Sequence, residues 1–145
     1  MANTPNILNL TLPLKQDAAS QAKLKEFASK FKTDFLPSVW EVLKESRMVH
    51  YARFVVIDNK YLQVLTEYDT DFRTYSDFFA TRLHPFFATL FTLVEGAPDA
   101  TLASDRETVY QFIKKYDLPN LGDEAFSAFG PIGVKEIQQK FNITV

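Results

Sequence analysis

Met48-Val49-His50-Tyr51-Ala52-Arg53-Phe54-Val55-Val56-Ile57, then Asp58-Asn59-Lys60, then Tyr61-Leu62-Gln63-Val64-Leu65-Thr66-Glu67-Tyr68 is the stretch that decides the fold. Both flanks are rich in β-branched and aromatic residues, and the three residues between them have turn chemistry, so the stretch predicts a β-hairpin. His50, Ala52, Phe54 and Val56 share one face of the first strand, and Tyr51, Arg53, Val55 and Ile57 share the other. The partners of each face depend on the loop, because a slip of one residue exchanges the faces. A two-residue turn sets His50 and Phe54 beside Gln63, Leu65 and Glu67, whereas a three-residue loop sets Tyr51 and Arg53 beside Gln63 and Glu67. The two-residue turn is the favoured hairpin connection and is the expectation.

Upstream of the hairpin, Ile7 to Leu14 alternates, with Leu8, Leu10, Leu12 and Leu14 on one face, which predicts a strand with Pro13 at its edge or exit. From Ala18 the period changes: Leu24, Phe27, Ala28, Phe31 and Phe35 form one stripe of an amphipathic helix that ends near Leu36, before Pro37. Pro37 is suited to open a short second helix, Ser38 to Glu45. Downstream, Asp71 to Val94 returns to helical spacing and is interrupted at Pro85. A loop to about Ser104 precedes a helix over Asp105 to Tyr116; Ala125 to Phe129 is a short strand candidate, and Val134 to Phe141 closes as a helix.

The order strand, helix, strand, strand, helix, strand is the split βαβ or ferredoxin-like order. It predicts an α+β fold in a single domain, residues 1–145, with a four-stranded antiparallel sheet, helices on one face, and extra helices after the second crossover and at the C-terminus. The other sheet face would be bare, and a second copy of the same sheet is the commonest cover, so a homodimer is expected.

The composition narrows the function classes. Across 145 residues, 16 Lys+Arg stand against 18 Asp+Glu, with no basic run, which argues against nucleic acid and anionic membrane as partners. No cysteine is present, so disulfides, thiolate metal sites and cysteine nucleophiles are excluded. No apolar run approaches a membrane span, and MANTPNILNLTLPLKQD lacks a basic stretch before its apolar residues, so the cytoplasm is the expected compartment. Phe 14, Tyr 6 and Trp 1 are an excess for a small domain. A bulky core, a subunit interface, or a pocket for a flat apolar ligand lined by Phe54, Tyr68, Phe79 and Phe87 would absorb them.

The two histidines exclude multi-histidine metal sites, and neither a Gly-rich phosphate loop nor a G-x-S-x-G elbow occurs. With the two-residue turn, His50 and Glu67 act together as general base and orienter; with the three-residue loop, Arg53 and Glu67 form an ion pair there instead. The competing reading makes His50, Arg53, Glu67 and Asp69 a structural polar network at a strand end or dimer seam. Tyr68-Asp69-Thr70-Asp71 has the composition of a turn and helix cap, with Asp69 or Thr70 accepting from the following amides. His84, in Arg82-Leu83-His84-Pro85-Phe86-Phe87, has the type of an axial haem ligand, or is simply the exposed residue at a helix break.

His50-Tyr51-Ala52-Arg53-Phe54-Val55-Val56-Ile57-Asp58, with Glu67-Tyr68-Asp69 ending the next strand, resembles ferredoxin-like proteins of the dimeric α+β barrel superfamily. The aromatic helix Phe72 to Phe79, the Glu95-Gly96-Ala97-Pro98 break and Phe126-Ser127-Ala128-Phe129-Gly130 fall where that group has them. The resemblance implies a dimeric barrel. That superfamily includes haem-dependent peroxidases and chlorite dismutases, haem-degrading and cofactor-free monooxygenases, and stress-responsive proteins without known chemistry. The leading expectation is a homodimeric binder of a small apolar or aromatic ligand with no obligatory cofactor; the alternative is an oxidative enzyme, using haem at His84 or, without a cofactor, using His50, Arg53 and Glu67.

Overall fold

The computed structural model describes residues 6–145. β1 (Asn6–Pro13) alternates between buried and half-exposed positions and leads into α1 (Ala18–Lys30), whose N-terminus is capped by Asp17 accepting from Ser20 N at 3.0 Å. Pro37 has no N–H to donate, and its ring crowds the carbonyl one turn back. The chain meets this demand by widening the preceding turn: Phe31–Phe35 is π-helical, with Leu36 N donating to Phe31 O, and α2 (Leu36–Ser46) follows without a break. The stripe of α1 is thereby carried onward, and the Phe27 ring lies 5.3 Å from Phe31 and 5.0 Å from Phe35.

Arg47, in the left-handed conformation at φ 55°, turns the chain into β2 (Val49–Ile57), which pairs with β3 (Tyr61–Tyr68). The loop has three residues, not the expected two. Asp58 and Asn59 are both left-handed at φ 53°, and Lys60 is held outside the β2 ladder, its carbonyl accepting from Leu14 N at 2.8 Å. Ile57 therefore faces Tyr61, Phe54 faces Val64, and Tyr51 faces Glu67. Burial explains the choice: β1 sets Leu8, Leu10 and Leu12 opposite Thr66, Val64 and Leu62, and only the three-residue loop puts Phe54 on that same apolar face.

The remaining chain forms α3 (Phe72–Arg82), α4 (His84–Leu93), α5 (Arg106–Tyr116) and α6 (Val134–Lys140), with short 3₁₀ turns at Ala100–Leu102 and Leu121–Asp123. Asp71 and Asp105 cap α3 and α5 by accepting from Thr74 N and Thr108 N, both at 2.9 Å. The core lies between the helices and the Leu-bearing sheet face, and Leu12, Leu90, Val94 and Val109 are fully shielded in it. Tyr75 donates to or accepts from Thr66 Oγ1 at 2.9 Å within this core.

The four-stranded ferredoxin-like sheet is not what the described residues build. The sheet has three antiparallel strands in the order β1-β3-β2. Ala125 to Phe129, the expected fourth strand, is irregular and runs into a turn at its end, with Gly130 N donating to Ser127 O at 3.1 Å. Its apolar residues fall at 125, 126, 128 and 129, which does not alternate and cannot present one face to a sheet. The edge of β1 is met elsewhere. Asn9 N donates to Asp117 Oδ1 at 2.9 Å, Leu118 N donates to Asn9 O at 3.0 Å, and an isolated bridge joins Leu10 to Asp117.

Candidate functional site

Three places in the fold gather the side chains with chemical potential. The first is the end of the hairpin. A bulge between Val49 and Tyr51 breaks the alternation of β2 and re-aims His50. His50 Nε2 lies 2.5 Å from Asp69 Oδ1, while Asp69 Oδ2 accepts from Val134 N, the first residue of α6, at 2.6 Å. Gly133 suits this contact, since a Cβ there would stand 3.2 Å from the same carboxylate oxygen and the Asp69 side chain would have to give by a few tenths of an ångström. Asp69 is thus a clamp on the C-terminal helix, and Asp71, rather than Asp69 or Thr70, caps α3. The acid that His50 meets is Asp69 and not Glu67. Arg53 is exposed on the same sheet face as Glu67, diagonal to it, with no ion pair to it among the described residues.

The second place is a cleft of about 890 Å³ where the sheet end meets the segment following α5. Glu67 and Ile7 come from the strands, and Asp117, Asn120, Glu124 and Phe126 from that segment. Asn9 organises the wall: its Nδ2 donates to Asn120 Oδ1 at 2.6 Å and to Leu118 O at 3.1 Å. Burial holds the Asp117 carboxyl above the usual carboxylate range, against the lowering effect of the hydrogen bond from Asn9 N. Glu67 is 5% exposed, and its Oε1 has no hydrogen-bond partner among the described residues.

The third place is an apolar recess of about 110 Å³ walled by Phe27, Phe31, Phe54, Val56, Leu62 and Phe86. The Phe31 ring stands edge-on to Phe54 at 5.2 Å, and Phe54 edge-on to Phe86 at 5.6 Å. The π-helical turn supplies Phe31, so the widening forced ahead of Pro37 shapes this recess. Trp40 lies at its margin, half exposed, with its ring 6.0 Å from Phe54.

The four aromatic residues expected to line one pocket are divided by the structure. Phe54 borders the recess; Tyr68 and Phe79 pack on Tyr75 at 4.2 and 4.8 Å, and Phe87 packs on Phe86 at 6.0 Å inside the core. Burial pushes the Tyr68 hydroxyl up to about 12. His84 is the first residue of α4 and is solvent-exposed, while Phe86 and Phe87 beyond it point into the core. Its exposure to solvent does not fit an axial haem ligand, which is held in a pocket sheltered from water. Among the described residues no group of three or more His, Cys, Asp or Glu side chains is placed to hold a metal ion, and no helix is long and apolar enough to cross a membrane.

Asn9, Asp117 and Asn120 were not singled out by sequence patterning. The signal was present in Asp117-Leu118-Pro119-Asn120, whose proline forces an extended backbone directly after a helix, but its partner on β1 is more than a hundred residues away. Comparison of the chain with protein-family models, with curated proteins and with solved structures finds no match in any of the three.

Proposed function

We propose that the protein binds a small apolar ligand, of about the size of one aromatic ring, in the recess between α1, the π-helical turn and β2. The observation that carries this reading is the recess itself: phenylalanine rings form most of its wall, and its volume is about 110 Å³. An engineered apolar cavity of about 150 Å³ stays dry and takes up benzene, so the space is of the right order for a ring or a branched alkyl group. Val56, 40% exposed at the mouth, leaves room for a ligand to project outward.

Trp40 is the only tryptophan, which gives the recess its own reporter. Titration with toluene is expected to change Trp40 emission saturably and to raise the melting temperature. Ala28→Phe, which fills the mouth from an exposed position on α1, is expected to abolish both effects with the fold intact. Unchanged emission on titration, or unchanged binding by Ala28→Phe, refutes the proposal.

A second reading, self-association, is favoured by the open sheet face. Tyr51, Val55, Ile57 and Tyr61 lie on that face, between 37% and 47% exposed, with Ile57 directly opposite Tyr61. We propose a second copy of the chain as its cover, since Val55, Ile57 and Tyr61 make one end of this face apolar and it continues into neutral Gln63 and Leu65, with Arg53 as the single charge beside them. Sedimentation velocity is expected to give a dimer that Val55→Lys converts to a monomer; a monomeric wild type at micromolar concentration removes this reading.

A further inference from the structure

We infer that the cleft floored by Glu67 binds an organic cation, an ammonium group carried on an apolar body. The cross-strand neighbours of Glu67 are Ile7 and Tyr51, and neither gives its carboxylate a hydrogen bond. A carboxylate this deeply buried, with an oxygen left unpartnered among the described residues, is costly, and a cationic donor is the partner that relieves the cost. The surroundings select the sign of the ligand. Asp117, Asp123 and Glu124 share the lining with Glu67, and among the described residues no lysine, arginine or histidine lines the cleft.

The same surroundings select an organic ion over a metal ion. No three carboxylates converge on one point among the described residues, whereas a calcium ion takes about six to eight oxygens. An ammonium group needs only a few acceptors, which Glu67 and the Asn120 side chain can offer. Phe126, 93% exposed, presents a free aromatic face to the cation or to its apolar body. The volume, about 890 Å³, is in the range of small-molecule sites. This inference does not rest on the aromatic recess, which lies on the opposite face of the sheet and is read by Trp40.

The test is amide NMR of the full chain with 2-phenylethylamine, cationic at neutral pH, against its neutral analogue 2-phenylethanol. The amine is expected to shift the amides of Asn9, Glu67, Leu118 and Phe126 saturably, and the alcohol to bind there at least about tenfold more weakly. Glu67→Gln keeps the shape and removes the charge; it is expected to weaken the amine by at least about tenfold while leaving the alcohol unchanged. Phe126→Ala, at a position too exposed to matter to folding, is expected to weaken the amine several-fold. The inference is overturned if the amine gives no saturable shift at these amides, if the alcohol binds equally well, or if Glu67→Gln binds like the wild type. Should Glu67→Gln fail to fold, unaltered amine binding by Phe126→Ala overturns it alone.

Discussion

Residues 6–116 and residues 117–145 are held to the same sheet by different forces. The first region is joined through leucine and phenylalanine side chains: Leu8, Leu10 and Leu12 of β1, Leu62 and Val64 of β3, and Phe86, Leu90 and Phe91 of α4 are all buried in one cluster. The second is attached by polar tethers. Asn9 holds residues 117–120, Asp69 holds the first amide of α6, and Gln138 receives from Arg47 Nε at 3.0 Å and donates to Lys44 O at 3.3 Å. Between these tethers Leu121 and Phe126 stand almost wholly in solvent. Apolar burial scales with area and acts cooperatively across the core, whereas each tether contributes only its own modest net energy. The second region should therefore open locally while the first unfolds as a unit.

Substitution in the two regions tests this contrast most sharply. Leu90→Ala empties a fully buried position of α4, and equilibrium denaturation should show a loss of about 2–5 kcal/mol with every probe moving together. Asp69→Ala should act locally, on the tether to α6 and on the contact with His50 in β2. Loss of its bond to Val134 N is expected to speed amide exchange across α6 about tenfold, corresponding to about 1.4 kcal/mol, while the amides of β1 and β3 keep their protection. If α6 and the sheet lost protection to the same extent in Asp69→Ala, the two regions would be one cooperative unit and the contrast would fail.

The same division governs what could be read in the amino-acid sequence. Within residues 6–116, the leucine alternation of β1, the aromatic spacing of α1 and α3, and the Pro85 break between α3 and α4 all correspond to elements at or near their expected bounds. Periodicity works there because each element buries one face, and the face repeats along the chain. The hairpin loop was legible only with its context: Asp58-Asn59-Lys60 fits either length, and the decision lies in the burial of Phe54 on the same face as Leu8, Leu10 and Leu12. The π-helical turn was hidden for a related reason, since Pro37 announces a difficulty in the helix without saying whether the chain breaks or widens. Beyond Tyr116 only α6 repeats a face, with Val134, Ile137 and Gln138 on its less exposed side, and it forms near its expected bounds; the rest of the segment has no period. Asp117, Asn120, Val134 and Gln138 are fixed by partners distant in sequence, and no local pattern records a hydrogen bond to Asn9 or Asp69. His50 and Glu67 show the cost of this: an error of one residue in the loop changes which carboxylate the histidine is expected to face.

Acid-base behaviour sharpens the contrast with smaller effects of opposite sign. In the second region, burial raises the Asp117 carboxyl above its unfolded value, so its ionised form opposes folding. Its contribution is most favourable below the unfolded value, about 3.9 for an aspartate, and is lost as pH rises through the raised value in the folded state. Asp117→Asn keeps an oxygen to accept from Asn9 N; it should be slightly more stable than the wild type at neutral pH, the difference closing in acid. In the first region, the backbone and hydroxyl hydrogen bonds from Thr74 lower the Asp71 carboxyl, so its cap stabilises α3 above the unfolded value and is lost as pH falls through the lowered one. Asp71→Ala should therefore lower the melting temperature slightly at neutral pH and make little difference in strong acid. Melting curves of both variants from neutral to acid pH provide the check. At neutral pH they should deviate from the wild type in opposite directions, because the Asp117 charge is formed where water has been removed and the Asp71 charge where an N-terminus supplies donors. Deviation in the same direction would mean that the segment after α5 does not bury Asp117 in solution.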